Sequence, residues 1–212
     1  MLTLGMLTAG GKAKPKAPVQ IGSSTISNNT SFSHTVVAGT KCLIVRGIVG
    51  NDTSSSSMAT CSWNGQSMTR KAYAVGDAGN RFACIAIFYL LNPTPGTGNV
   101  AISGTSSDVY SAENWGNVSD IGNFKTTGGS SNLSSFSHSF SKTDPLNVLI
   151  SAGLLRVGTG WTAGSNNIEE YDASISWGRA YFGRCESASI AAASCGGGTN
   201  TFAAASIELI AG

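Results

Sequence analysis

Short apolar runs recur along the chain between clusters of glycine, serine, asparagine and proline. Two of the longest, residues 42–45 and 84–91, are rich in β-branched and aromatic side chains, which favours strands. Periodicity alone is also compatible with buried helical segments, but turn-forming residues at Gly39, Gly50 and 93–96 end the runs at strand length. The pattern predicts about a dozen strands, at residues 32–37, 42–49, 58–63, 67–75, 82–91, 99–103, 108–115, 133–140, 146–155, 167–177, 179–184 and 201–210.

This spacing indicates an all-β fold, and we predict an antiparallel two-sheet β-sandwich, jelly-roll-like, over residues 19–212. The composition agrees, because the chain has 27 glycines and 11% charged residues. A typical protein has about 25% charged residues. Surface helices depend on Glu, Lys, Arg and Ala, so little material for them remains. The length of 212 residues suits one domain with its own core.

Two local patterns add detail. Residues 63–66 contain Asn-Gly, which readily adopts the positive φ angles of a type I′ turn, and predict a tight hairpin. Residues 31–35 (SFSHT) return as 135–139 (SFSHS), each followed by a turn and an apolar run. We expect two equivalent hairpins, one opening each half, with Phe32 and Phe136 facing the core and the hydroxyls facing outward. Chance similarity in a serine-rich chain is the alternative.

Residues 1–18 read as an extended basic arm, since two prolines block a helix and no apolar period runs through them. The chain has a net charge of +2, yet its first 50 residues contain five basic residues and no acidic one. Lys12, Lys14 and Lys16 are therefore candidates for anchoring the arm on an acidic protein surface, and a solvated tail is the alternative. Three lysines make a weak footprint for nucleic acid, which we do not expect as a partner.

The cysteines indicate a reducing compartment. They are five in number and none forms a CxxC pair. We expect most to be buried as small hydrophobic residues, with a Cys185–Cys195 bridge as the alternative. The first residues lack a basic region ahead of their apolar positions, and no apolar stretch is long enough for a membrane helix. We therefore expect assembly in the cytoplasm and no membrane partner.

The sequence gives no clear sign of catalysis. It contains no GxSxG, HExxH, Walker A or GxGxxG motif, so we expect neither an enzyme nor a cofactor. His34 and His138 lie in the two similar segments, where a hydrogen-bonded structural role is expected. Paired carboxylates could form across the fold, although surface solvation explains each candidate more simply: Asp108, Glu169, Glu170 and Asp172.

The sequence offers two further kinds of candidate site, for calcium and for sugars, and each has a structural alternative. Residues 51–53 and 77–80 could supply oxygens to calcium, although such segments are more often Asx turns. Five aromatic residues could form a platform for sugars, although core positions are commoner for such residues: Tyr110, Trp115, Trp161, Tyr171 and Trp177. Among these, Trp161 is the candidate glycan contact.

Three ordered motifs carry a family resemblance. They are HTVVAG at 34–39, CSWNGQSMT at 61–69 and FYLLNPTPGTGNV at 88–100. Together they resemble a jelly-roll-like β-sandwich domain found in structural proteins of bacteriophages and environmental viruses, over residues 30–155. The resemblance implies a virion or cell-surface domain and supplies no catalytic residues.

The expected function is that of a phage virion structural protein, specifically a capsid decoration (cement) protein on the outer head surface. The arm would contact the major capsid protein or other virion proteins, in a dimer or trimer assembled in the host cytoplasm. The alternative is a tail or fibre module that recognises host glycans through Trp161. A polysaccharide lyase or hydrolase is a third possibility.

Overall fold

A computed structural model describes residues 13–52, 57–77, 79, 82–103, 108–129, 133–142, 144–156, 158–175, 177–196 and 201–212. The described chain is all-β and contains no helix, which confirms the predicted fold class. Its strands are β1 Val19–Gln20, β2 Thr25–Ser27, β3 Ser31–Val36, β4 Cys42–Asp52, β5 Cys61–Trp63, β6 Gln66–Ser67, β7 Thr69–Asp77, β8 Phe82–Leu91, β9 Gly96–Ile102, β10 Val109–Gly116, β11 Val118–Gly129, β12 Ser135–Ser139, β13 Val148–Leu155, β14 Gly160–Ala163, β15 Asn167–Ile175, β16 Gly178–Cys185, β17 Ile190–Gly196 and β18 Phe202–Ala211.

The described strands form four antiparallel sheets, where the sequence predicted two. In the first half, a central sheet has the order β1-β10-β4-β8-β7, with β2 also on β10, and an outer sheet has the order β3-β9-β5-β6. In the second half, the central sheet is β11-β18-β13-β16-β15 and the outer sheet is β12-β17-β14. Each half is thus a sandwich of its own, and the predicted pair of sheets describes one half only.

The two halves repeat one arrangement. The order β10-β4-β8-β7 in the first half returns as β18-β13-β16-β15, and β3-β9-β5 returns as β12-β17-β14. The similar segments lie at equivalent positions, β3 and β12, and bury Phe32, His34, Phe136 and His138 while their serines face outward. The predicted hairpins are wrong, because β3 pairs with β9 rather than with β4. The turn after β3 therefore carries the chain from one sheet to the other.

The central sheets of the two halves pack against each other. Ile44 and Ile48 of β4 share a core with Ile150 and Leu154 of β13. The residues that alternate with these along β4, such as Leu43 and Val45, point the opposite way and pack under the outer sheet of their own half. The molecule is therefore a stack of four layers, in which the inner two are covered on both faces.

The Asn-Gly hairpin forms as predicted. Asn64 and Gly65 have φ angles of 45° and 81°, and Trp63 pairs with Gln66 across the turn. The strand before it is shorter than predicted, since it begins at Cys61. Met58 lies outside it, with a φ angle of 56° and a buried side chain.

All five thiols are buried and none is in a disulfide. The Cys185–Cys195 alternative is wrong, because the first packs in a small cluster with Leu149 and the second packs in another with Trp161. Burial raises the pKa of Cys61 to about 12. These cysteines behave as small hydrophobic residues, as the sequence indicated.

Candidate functional site

An irregular edge strand borders the most distinctive site. We call residues 19–27 the edge segment, which pairs with β10 at both of its ends. Gln20 lies opposite Trp115 and Thr25 lies opposite Ala112, so four residues of the segment face two residues of β10. The extra residues form a wide bulge, which Gly22 permits with a φ angle of 69°. The bulge lies opposite Glu113 and opens the sheet edge there.

This opening is part of a cavity of about 230 Å³ between the two halves, which we call the edge pocket. The edge segment and the first half contribute one wall, and β15 and β16 of the second half contribute the other. Its lining residues are Gln20, Ser24, Ile26, Arg46, Glu113, Ile168, Glu169, Glu170, Tyr171, Phe182 and Arg184. The pocket combines charged, aromatic and aliphatic side chains, as small ligand sites do.

Arg46 lies at the floor of the pocket and joins the halves. Its guanidinium is 1% exposed and lies 4.6 Å from the ring centroid of Phe182. Nε donates to Ser111, and Nη2 donates to Glu113 and, at 2.7 Å, to Glu170. Nη1 donates to two carbonyl oxygens of the second half, those of Ser151 at 2.9 Å and Gly183 at 3.1 Å. All five N–H donors are thus used.

Arg184 extends this network towards the surface. Its Nη1 donates to Glu170 at 2.6 Å and to the Gln20 side chain at 3.1 Å, and its Nε donates to Glu186 at 2.7 Å. We call Arg46, Glu113, Glu170 and Arg184 the ionic cluster. It connects β4, β10, β15 and β16 and reaches the edge segment through Gln20.

The two carboxyl groups of the ionic cluster differ in pKa. Burial raises the pKa of Glu113, and Arg46 opposes this only in part. Burial acts in the same direction on Glu170, but Arg46 and Arg184 together hold its pKa below the usual value. Split carboxyl pKa values occur in acid–base catalysis. Here, however, Arg46 bonds to both groups and Arg184 bonds to Glu170, so two guanidiniums face the two carboxyl groups.

The sequence candidates for paired carboxylates do not form one group. Glu169 and Glu170 line the pocket, whereas Asp172 pairs with Arg179 at 2.6 Å and accepts the Trp161 backbone N–H. Asp108 is buried elsewhere and accepts the Gly50 backbone N–H.

Sequence reasoning missed Arg46 and Glu113 as site residues. Arg46 is the single charged residue of the buried stretch 42–50 in β4, and Glu113 is the single charged residue of β10. A charge in such a place is costly unless it is paired. That signal could have identified both residues, although not their partners.

The two histidines take the structural roles expected of them. His138 is hydrogen-bonded on both ring nitrogens, to Ser206 at 2.8 Å and to Thr127 at 3.0 Å. His34 bonds to Thr25 at 2.8 Å. Burial lowers the pKa of both, in His34 against an opposing contribution from the Asn114 side chain, which raises it. In His138, the positive charge of Lys125 adds to the effect of burial and the pKa falls to about 4.

We expect His138 to make folding sensitive to mild acid. The unfolded imidazole binds a proton near pH 6.5 and the folded one only near pH 4. Its contribution to stability is therefore complete above pH 6.5 and falls as the pH drops towards 4, by up to about 3 kcal/mol. Urea unfolding at pH 7 and pH 5 measures this, and His138→Asn should show a smaller difference than wild type. An equal difference in both proteins would assign the acid sensitivity to other groups.

The aromatic candidates mostly lie in the core. Trp161 is 5% exposed, packs against Phe136, Tyr181 and Phe202, and donates through Nε1 to the Arg179 carbonyl at 3.0 Å. It offers no open ring face to a sugar, so the structure does not favour it as a glycan contact. Tyr110 and Trp115 are also buried, and only Tyr171 lines the pocket.

The other sequence candidates are the possible calcium ligands and the lysines of the arm. Asp77 accepts the Gly79 backbone N–H at 2.8 Å in an Asx turn, while the side chains of 51–53 lie outside the described residues. The described residues contain no cluster of metal ligands. Lys14 and Lys16 are exposed, and Lys12 lies outside the described residues.

Comparisons of the chain with protein-family models, curated proteins and solved structures found no match. The resemblance to viral β-sandwich domains therefore stays a prediction. No helix in the described parts of the chain could cross a membrane.

Proposed function

We propose that the chain is a phage virion structural protein, a capsid decoration protein on the outer surface of the head. One observation carries the proposal: the four residues of the ionic cluster bind each other and join the two halves. Arg46 uses every donor on residues of this chain, and Glu170 is held between two arginines. Such an arrangement supports a stable body that acts through its surface.

The arm supplies a means of attachment. Residues 13–17 are exposed, and the Lys16 backbone N–H donates to the Gly212 carbonyl at 2.7 Å. Asn117 also donates to the Ala17 carbonyl at 3.1 Å. The arm is therefore fixed to the body beside the end of β18, while the side chains of Lys14 and Lys16 stay available to an acidic partner. The major capsid protein and other virion proteins are the proposed partners.

The alternative is a tail or fibre module that binds host glycans. The edge pocket favours it, because Tyr171 offers aromatic surface beside the polar groups of Gln20 and Glu169. Trp161 does not contribute to that argument.

Particle association tests the proposal. We expect the protein on tail-free heads of the phage that encodes it, with Lys12→Ala/Lys14→Ala/Lys16→Ala reducing its binding to stripped heads roughly tenfold. Quantitative mass spectrometry of fractionated heads and tails measures this. Lys41→Ala/Lys125→Ala, which removes exposed lysines outside the arm, should bind as wild type does. Recovery in the tail fraction, or absence from particles, would contradict the proposal.

A further inference from the structure

The edge pocket is lined by more acidic than basic side chains. It contains three acidic residues, Glu113, Glu169 and Glu170, against two arginines. Glu169 is exposed and makes no salt bridge within the described chain. At the floor, one oxygen of the buried Glu113 has only a long bond of 3.4 Å, from Trp115. The pocket therefore has spare acceptors and favours a cation.

Apolar side chains surround these acceptors. Ile26 and Ile168 line the pocket from opposite halves, yet they are 42% and 39% exposed. Tyr171 adds aromatic surface to the lining. A ligand with an apolar stem and a cationic end would cover the isoleucines and place its charge at Glu169. A lysine side chain has this form.

The chain itself carries suitable lysines. Lys14 and Lys16 are exposed and form no salt bridge within the described residues. They are two residues apart, so in an extended chain they lie on the same side. The chain has no acidic residue before Asp52 that could neutralise them. The backbone of their own copy is held at Gly212, which leaves these side chains available to a neighbour.

We propose that the edge pocket of one copy binds a lysine of the arm, Lys12, Lys14 or Lys16, from a second copy. The aliphatic stem packs between Ile26 and Ile168, and the ammonium group pairs with Glu169. Reciprocal exchange of arms closes a dimer, and one-way exchange closes a ring. This self-association goes beyond the proposed virion role and does not depend on it.

Charge reversal tests the pairing in purified protein. We expect wild-type protein to self-associate in sedimentation velocity runs at low salt, and less so at high salt. Glu169→Lys alone, or Lys12→Glu/Lys14→Glu/Lys16→Glu alone, should weaken association at least tenfold. An equimolar mixture of the two variants should recover association, because the reversed pocket of one variant is complementary to the reversed arm of the other, and the unmodified arm and pocket also remain complementary. The variant that combines both sets of changes should recover association.

Two controls keep the test specific. Asp77→Lys makes the same reversal at an exposed carboxylate outside the pocket and should associate as wild type does. Thermal unfolding checks that each variant is folded. A monomeric wild-type protein, association that survives either reversal, or failure of the combined variant to associate would overturn the proposal. Wild-type protein that self-associates but does not bind to phage particles would contradict the virion role alone.

Discussion

Replacing Arg46 with methionine is expected to lower the free energy of unfolding by about 3–5 kcal/mol. The change removes the cation that bonds to Glu113 and Glu170 between the halves, and Glu113 is 1% exposed. A buried carboxylate without a partner costs far more than the salt bridge itself contributes. Two carbonyl oxygens of the second half, those of Ser151 and Gly183, also lose a donor.

Urea unfolding at pH 7 measures this loss, and Arg179→Met is the matched control. Arg179 also pairs with a carboxylate, of Asp172, but its side chain is 23% exposed. Water can replace its contacts, so we expect a loss of about 1 kcal/mol or less. Similar losses for the two variants would show that burial of the Arg46 network does not matter.

The repeat suggests how to restore stability after Arg46 is removed. In the first half Arg46 lies opposite Ser111, with Glu113 two residues further along β10; in the second half Ile150 lies opposite Ile207, with Leu209 two residues further along β18. Arg46→Ile/Ser111→Ile/Glu113→Leu should recover most of the loss, because well-packed apolar residues often replace buried ion pairs at no cost. Glu170 keeps Arg184 as its partner in this variant.

The fold could be predicted from local patterns only as far as those patterns describe strands. The repeated SFSH segments correctly place Phe32 and Phe136 in the core, because alternation in a strand fixes which face each side chain takes. The polar strand β11 was not predicted, since its threonines and glycines read as a loop. It is the edge strand of its sheet, where exposed polar side chains are tolerated.

Continuous apolar runs in the sequence indicate how many layers the fold has, whereas the spacing of the strands does not. Strands β4, β10, β13 and β18 are buried on both faces, so another layer must cover each side. Continuous apolar runs such as 42–45 are typical of such strands. Which layers meet could not be predicted, because Arg46 contacts Glu170 at 124 residues' separation along the chain. The candidate site depends on that contact and on the bulge opposite Glu113.

Trp161→Ala is expected to cost about 3–5 kcal/mol of unfolding free energy. The indole fills the second-half core, with its ring centroid 5.4 Å from that of Tyr181, 6.1 Å from that of Phe136 and 6.2 Å from that of Phe202. Removing it leaves a cavity and takes one hydrogen-bond donor from the Arg179 carbonyl. A loss of this size is a large fraction of the usual 5–15 kcal/mol.

Chemical denaturation of Trp161→Ala beside Trp177→Ala separates a core role from a surface role. Trp177 is half-buried and lies 5.2 Å from the Arg156 guanidinium, so its loss should cost only about 1–2 kcal/mol. An unchanged midpoint for Trp161→Ala would place that ring at the surface and restore it as a glycan contact. With the expected result, weaker glycan binding by Trp161→Ala would reflect unfolding, so the alternative function is better tested with Tyr171→Ala. Tyr171 lines the edge pocket and lies outside the cluster that contains Trp161.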